Sequence, residues 1–163
     1  MVYLVLGTGR SGTSTVTKIL QQEGVFIGNR LNENNEDLDF TELNEGFLKG
    51  RLTHAEFDTR INSLIKRRNS EHKKWGFKDP KLCYFLGNYL CLIRPIIIHC
   101  TRDREQVIIS IMRTYDWLRP NAERMVIDRE KRLGNLLHNR DVITIDFTES
   151  VTDEEIINHL KRE

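Results

Sequence analysis

The sequence predicts a three-layer α/β/α domain on a central parallel sheet of about four to five strands. Its 163 residues, 1–163, are read as a single domain. Three observations carry this. Short apolar runs alternate with amphipathic helical stretches in the order β-α-β-α-α-β-α-β-α-α-β-α. The run 2–6 is continuously apolar and the run 96–100 is broken only by His99, as in strands covered on both faces. The first run leads straight into a glycine-rich loop and then a helix, a turn that α/β sheets use to hold ligands.

The first element is Val2-Tyr3-Leu4-Val5-Leu6. Gly7-Thr8-Gly9-Arg10-Ser11-Gly12-Thr13-Ser14 follows, then a helix with Val16, Ile19 and Leu20 at helical spacing, stopped by Gly24. A loop of this composition turns successive backbone N–H groups into one concavity, and the positive end of the helix faces the same way. The dipole alone is worth about 0.3–2 kcal/mol to an anion. Arg10 adds a planar fork suited to phosphate or sulfate. Gly7 and Gly12 keep the spacing of the nucleotide-hydrolase P-loop, G-x-x-x-x-G-K-S/T, but Thr13 stands where that lysine belongs. The expected fold is therefore P-loop nucleotide-hydrolase-like.

Val25-Phe26-Ile27 can form a short second strand. Residues 28–40 read as an acidic loop carrying Glu33, Glu36, Asp37 and Asp39, one of which could serve as a general base above the anion site. Residues 41–49 form a short helix closed by Gly50. Thr53 and Glu56 make a capping box for a helix with Phe57, Ile61, Leu64 and Ile65 inward. It closes on Lys66-Arg67-Arg68, basic residues expected to sit in solvent at a helix end. Trp75-Gly76-Phe77-Lys78 is a strand, with Asp79 as N-cap and Pro80 as first residue of the next helix. Lys78 thus stands at a strand end, where α/β ligands bind.

Ile96-Ile97-Ile98-His99-Cys100 is the next strand. Asp103 and Gln106 cap a helix reaching Tyr115, and Arg102 lies at the carboxyl edge of the sheet with Ser110 about two turns into that helix. Residues 115–121 are a linker. Residues 121–139 form a charged helix whose basic residues read as a solvated face. Residues 142–147 are a strand, and Thr152 with Glu155 caps a final helix.

Lysine plus arginine number 25 against 24 acids, a net charge of +1. This gives no electrostatic case for nucleic acid or an anionic membrane. Cys83, Cys91 and Cys100 sit in apolar runs and read as reduced core residues of a cytoplasmic protein. No apolar stretch has the length of a membrane span, and without a charged n-region no signal peptide is expected.

Three segments together resemble the sulfotransferases that use 3′-phosphoadenosine 5′-phosphosulfate (PAPS). Leu6 to Ser14 resembles their 5′-phosphosulfate loop, Trp75 to Lys81 their K-D-P segment, and Arg102 to Ser110 their 3′-phosphate motif. The resemblance implies cosubstrate contacts from Gly9, Arg10, Ser11, Gly12, Thr13, Ser14, Arg102 and Ser110. It implies catalytic work by Arg10 and Lys78, with no metal. It also implies 3′,5′-adenosine bisphosphate as product, and a small-molecule or carbohydrate acceptor attacked through a hydroxyl or amine. Glu36 is the first candidate base and Asp39 the second. Residues 28–75 are expected to shape the acceptor pocket. The glycine-rich adenine-covering motif of cytosolic eukaryotic members has no counterpart here, and no residue is assigned to their histidine base. The alternatives are a phosphotransferase using ATP and Mg²⁺, with Asp146 as metal partner, and a non-catalytic nucleotide-binding module.

Overall fold

The computed structural model describes residues 1–161. Four parallel strands, β1 (Val2–Leu6), β2 (Trp75–Lys78), β3 (Ile96–Thr101) and β4 (Ile143–Asp146), form a sheet in the order β2-β1-β3-β4. Helices α1 (Thr13–Gln22), α2 (Leu38–Leu48), α3 (His54–Glu71), α4 (Leu86–Leu90), α5 (Arg104–Tyr115), α6 (Arg119–Leu137) and α7 (Asp153–Leu160) surround it. The chain leaves β1 for β2 on one side and returns across it to β3 on the other. The crevice beyond the carboxyl end of β1 is therefore the topological switch point at which such sheets bind ligands.

Alternation along β1 divides the core. Val2, Leu4 and Leu6 join Phe40, Phe57, Ile61, Trp75, Phe77 and Tyr89 on the face covered by α2, α3 and α4. Tyr3 and Val5 join Val16, Ile19, Leu20, Ile98, Ile145 and Ile156 on the face covered by α1 and α7. A third cluster, Val107, Ile108, Ile111, Ala122 and Val126, seals α5 against α6. The capping boxes at Thr53–Glu56 and Thr152–Glu155 are both formed.

Four expectations need correction. Val25–Ile27 is no strand of the sheet: Phe26 makes a single bridge to Trp75, and the chain then bends at residues 29–30. The helix expected from Pro80 is broken into a 3₁₀ turn, Leu82–Tyr84, and the short α4. Asp79 serves that turn by accepting from Lys81 N at 2.8 Å, but it is also buried against Asn44. Arg68 is not at a solvated end. Helix α3 continues to Glu71, and Arg68 is 1% exposed, paired with the equally buried Asp37 at 2.7 Å. Finally, Cys91 is exposed, whereas Cys83 and Cys100 are buried free thiols. Burial pushes Cys83 up to about 11 and Cys100 up to about 12, so both stay protonated and unreactive.

Candidate functional site

The loop after β1 has positive φ at Gly9 (89°), Arg10 (59°) and Gly12 (90°). A Cβ at Gly12 would run into the Phe147 ring, so glycine is required there twice over. Arg10 holds the same left-handed conformation without that freedom, at a cost of about 1–3 kcal/mol, a form of strain found at ligand clamps. Among the described residues, none of the backbone N–H groups from Gly9 to Thr13 meets a backbone acceptor. The Ser11 hydroxyl is also buried without a partner. Donors left without protein acceptors and gathered in one turn are of the kind that can receive an anion. The loop lines a cavity of about 200 Å³ together with Lys78, Glu36 and Arg102.

Lys78 reaches this cavity from the end of β2, which pairs with β1 through Val5. It is 2% exposed. Its Nζ donates to Asn34 O at 2.6 Å and Ser14 Oγ at 3.0 Å, and lies 3.3 Å from Glu36 Oε1. Burial pushes its pKa down, against the pull of the Glu36 carboxylate. Ser14 Oγ donates to the same Asn34 carbonyl at 3.0 Å. Asn34 O thus lies between Ser14 Oγ and Lys78 Nζ and accepts from both. Next to Lys78, a buried chain fixes Asp79: Tyr89 donates to Asn44 Oδ1 at 2.6 Å, and Asn44 Nδ2 donates to Asp79 Oδ2 at 2.9 Å.

On the other side of the loop, Arg10 Nε donates to Ser110 Oγ at 3.0 Å, and Arg102 Nη1 reaches Arg10 O at 3.4 Å. Arg10, Arg102 and Ser110 therefore meet beside Gly12, as their positions at the ends of β1 and β3 and on α5 require. Gln106 does not complete a capping box. Its side chain accepts from Arg102 Nε at 2.9 Å, while Asp103 alone caps α5.

The acidic loop splits its carboxylates. Glu36 enters the cavity, held also by Asn32 Nδ2 at 2.8 Å. Asp37 is the N-cap of α2 and the partner of Arg68. Asp39, the second candidate base, lies away from the site, bound by Arg30, Arg67 and Arg68. Asp146 is also remote from Lys78: its Oδ1 accepts from Thr148 N and Oγ1. Among the described residues, no cluster of three His, Cys, Asp or Glu could hold a metal ion, and no helix is long and apolar enough to cross a membrane.

Sequence reading missed Arg129, whose Nη1 donates to the loop carbonyl of Thr8 at 2.7 Å. The signal was spacing: Ala122, Val126, Arg129 and Leu133 fall on one stripe of α6.

No family model and no curated protein matches this sequence. Solved structures match it in fold. Shikimate kinase from Bacteroides thetaiotaomicron aligns with a TM-score of 0.64 at 12% identity, covering 99% of this chain and 95% of the other. Deoxyadenosine kinase from M.mycoides, with bound dATP, gives 0.57 at 14% identity, covering 99% and 98%. The sulfotransferase domain of the Synechococcus PCC 7002 olefin synthase gives 0.54 at 16% identity, covering 99% and 69%. At such identities the likeness is one of architecture. The chain has the P-loop α/β fold that nucleotide-dependent kinases share with a sulfotransferase domain.

Proposed function

We propose that this protein transfers a sulfuryl group from PAPS to a hydroxyl or amine. The observation that carries the reading is that the loop after β1, Lys78 and Arg102 line one cavity, with Arg10 bonded to Ser110 beside it. The Gly9–Ser14 loop with Lys78 would hold the 5′-phosphosulfate, and Arg102 with Ser110, flanking Arg10, would hold the 3′-phosphate. Glu36, 3.3 Å from Lys78 Nζ, would take the acceptor's proton. Lys78 and Arg10 would stabilise the charge that grows on the departing oxygen.

The kinases among the structural neighbours favour a second reading, phosphoryl transfer from ATP with Mg²⁺. Against it stand Thr13 at the position of the P-loop lysine and Arg102, rather than a carboxylate, after β3. Asp146, its candidate metal partner, is engaged with Thr148.

Thermal denaturation separates the readings. At one hundred times its dissociation constant, 3′,5′-adenosine bisphosphate should stabilise the fold by about 2.7 kcal/mol, or roughly 5–10 °C, without metal. Arg102→Ala should remove most of that shift. A shift with ATP and Mg²⁺, and none with the bisphosphate at millimolar concentration, would reject sulfuryl transfer in favour of phosphoryl transfer. A bisphosphate shift without turnover of radiolabelled PAPS would indicate a non-catalytic module.

The lowered Lys78 pKa sets a pH dependence. Lys78 holds an anion only while protonated, and the fold makes the proton easier to lose. Bisphosphate affinity should therefore fall with rising pH, along a limb that begins below the usual lysine range. Lys78→Arg should move that limb to higher pH in calorimetric titrations. An unchanged limb would assign it to another group.

A further inference from the structure

The anion cavity continues into a second cavity of about 270 Å³, across a border that includes Glu36, Pro80 and Tyr115. Beyond that border the lining changes. Ile111, Met125 and the half-exposed Trp117 give an apolar wall, and Lys81 and Arg129 bring cations. Only Asn34 and Glu36 come from residues 28–75; Ile111, Tyr115, Trp117, Met125 and Arg129 come from α5, α6 and the turn between them, and the rest from the loops after β1 and β2.

The two cations are not equivalent. Lys81 Nζ is paired with Glu45. Arg129 has no carboxylate within ion-pair distance among the described residues. It gives Nη1 to Thr8 O, and its Nε is buried without an acceptor. Asp79 also borders this cavity, but its oxygens accept from Asn44 Nδ2 and Lys81 N. The Nε is closed off from solvent, so an incoming carboxylate would pair with the Nη end of the guanidinium that borders the cavity, through charge-assisted bonds.

Resting on the sulfuryl-transfer reading, the geometry points to an acceptor class: a compact aromatic hydroxy acid. Its carboxylate pairs with Arg129, its ring lies along Ile111, Met125 and Trp117, and its hydroxyl meets Glu36, which borders both cavities. A volume of this size suits one substituted ring. In the reaction, Glu36 takes the hydroxyl proton and the hydroxyl oxygen bonds to sulfur. The bond from sulfur to the bridging oxygen breaks, and its electron pair stays on the 5′-phosphate of the bisphosphate product.

The test compares 4-hydroxybenzoate with its neutral counterpart 4-hydroxybenzyl alcohol. Both are titrated into ¹⁵N-labelled protein, with and without 3′,5′-adenosine bisphosphate, following the Arg129 Nε–H and Trp117 indole signals. The acid should move both signals and bind roughly tenfold or more tightly than the alcohol. Arg129→Gln should erase that ratio and Arg129→Lys should keep part of it. Trp117→Ala should weaken both compounds alike. Bisphosphate binding without discrimination between the two compounds, or discrimination that survives Arg129→Gln, overturns the acceptor class and leaves sulfuryl transfer standing. Discrimination without bisphosphate binding overturns sulfuryl transfer, and the acceptor assignment falls with it.

Discussion

Lys78→Met is expected to lower kcat by about 10²- to 10³-fold while the fold survives. The side chain is nearly inaccessible, so its charge acts where water cannot screen it. Under the sulfuryl-transfer proposal the growing charge would sit on the bridging oxygen, between the loop that would bind the donor and the strand end that carries Lys78. An ammonium fixed there before reaction needs no reorganisation as the bond breaks. Methionine keeps most of the stem's volume and removes the charge. The groups it abandons keep other partners: Ser14 Oγ still donates to Asn34 O, and Glu36 still accepts from Asn32. Structural damage should therefore be small, and the loss should fall on kcat more than on KM for PAPS. Single-turnover transfer from radiolabelled PAPS to 4-hydroxybenzoate, beside a circular dichroism melt, makes the measurement. A rate within about threefold of wild type in a folded variant would make Lys78 a structural residue, since a preorganised charge is worth far more than that.

What could be read from the sequence was what neighbouring residues decide. The strand, the loop and the start of α1 lie within one short stretch, where glycine, hydroxyl and apolar spacing act locally. Arg102 and Ser110 were legible for the same reason, being a strand end and a helix position in one segment. The register of β1 against β2 and β3 then carries these segments to one edge. Pairings between distant residues of ordinarily exposed types were not legible. Arg68 and Arg129 are both charged residues on apolar helical stripes, after Ile61 and Ile65 in one case and after Val126 in the other. Composition argues for solvent at such positions, whereas spacing argues for burial, and here spacing wins. Asp79 shows a different limit. Its capping role is local, but its burial depends on Asn44 and Tyr89, which come from other elements.

Arg68→Met should destabilise the protein by about 3–5 kcal/mol, lowering Tm by roughly 10 °C. The guanidinium is enclosed by Asp37 Oδ2 at 2.7 Å, Asp39 Oδ2 at 3.0 Å and the Phe26 ring at 4.8 Å from Cζ. Removing it leaves Asp37 as a carboxylate with no exposure and no counter-ion, the costly half of a broken pair. Asp37 cannot simply swing out, because its Oδ1 caps α2 through Asp39 N. Burial already pushes the Asp37 pKa up, with Arg68 as the main opposing charge. Once that charge is gone, the folded state should favour protonated Asp37 further. A carboxyl whose folded pKa lies above its unfolded one gives stability at low pH that is lost as pH rises through the folded value. Arg68→Met should therefore regain part of its deficit on mild acidification, and Arg68→Met/Asp37→Asn should regain part of it at neutral pH, since asparagine keeps the capping oxygen. Urea titrations of the two single variants and the double variant give the coupling. Effects that add to within about 0.5 kcal/mol would show that the two residues do not act as a unit. Because Asp37 directly follows Glu36, strong coupling predicts a kinetic trace as well: Arg68→Met should lower kcat even at temperatures where the variant stays folded, as the loop that presents Glu36 loses its anchor.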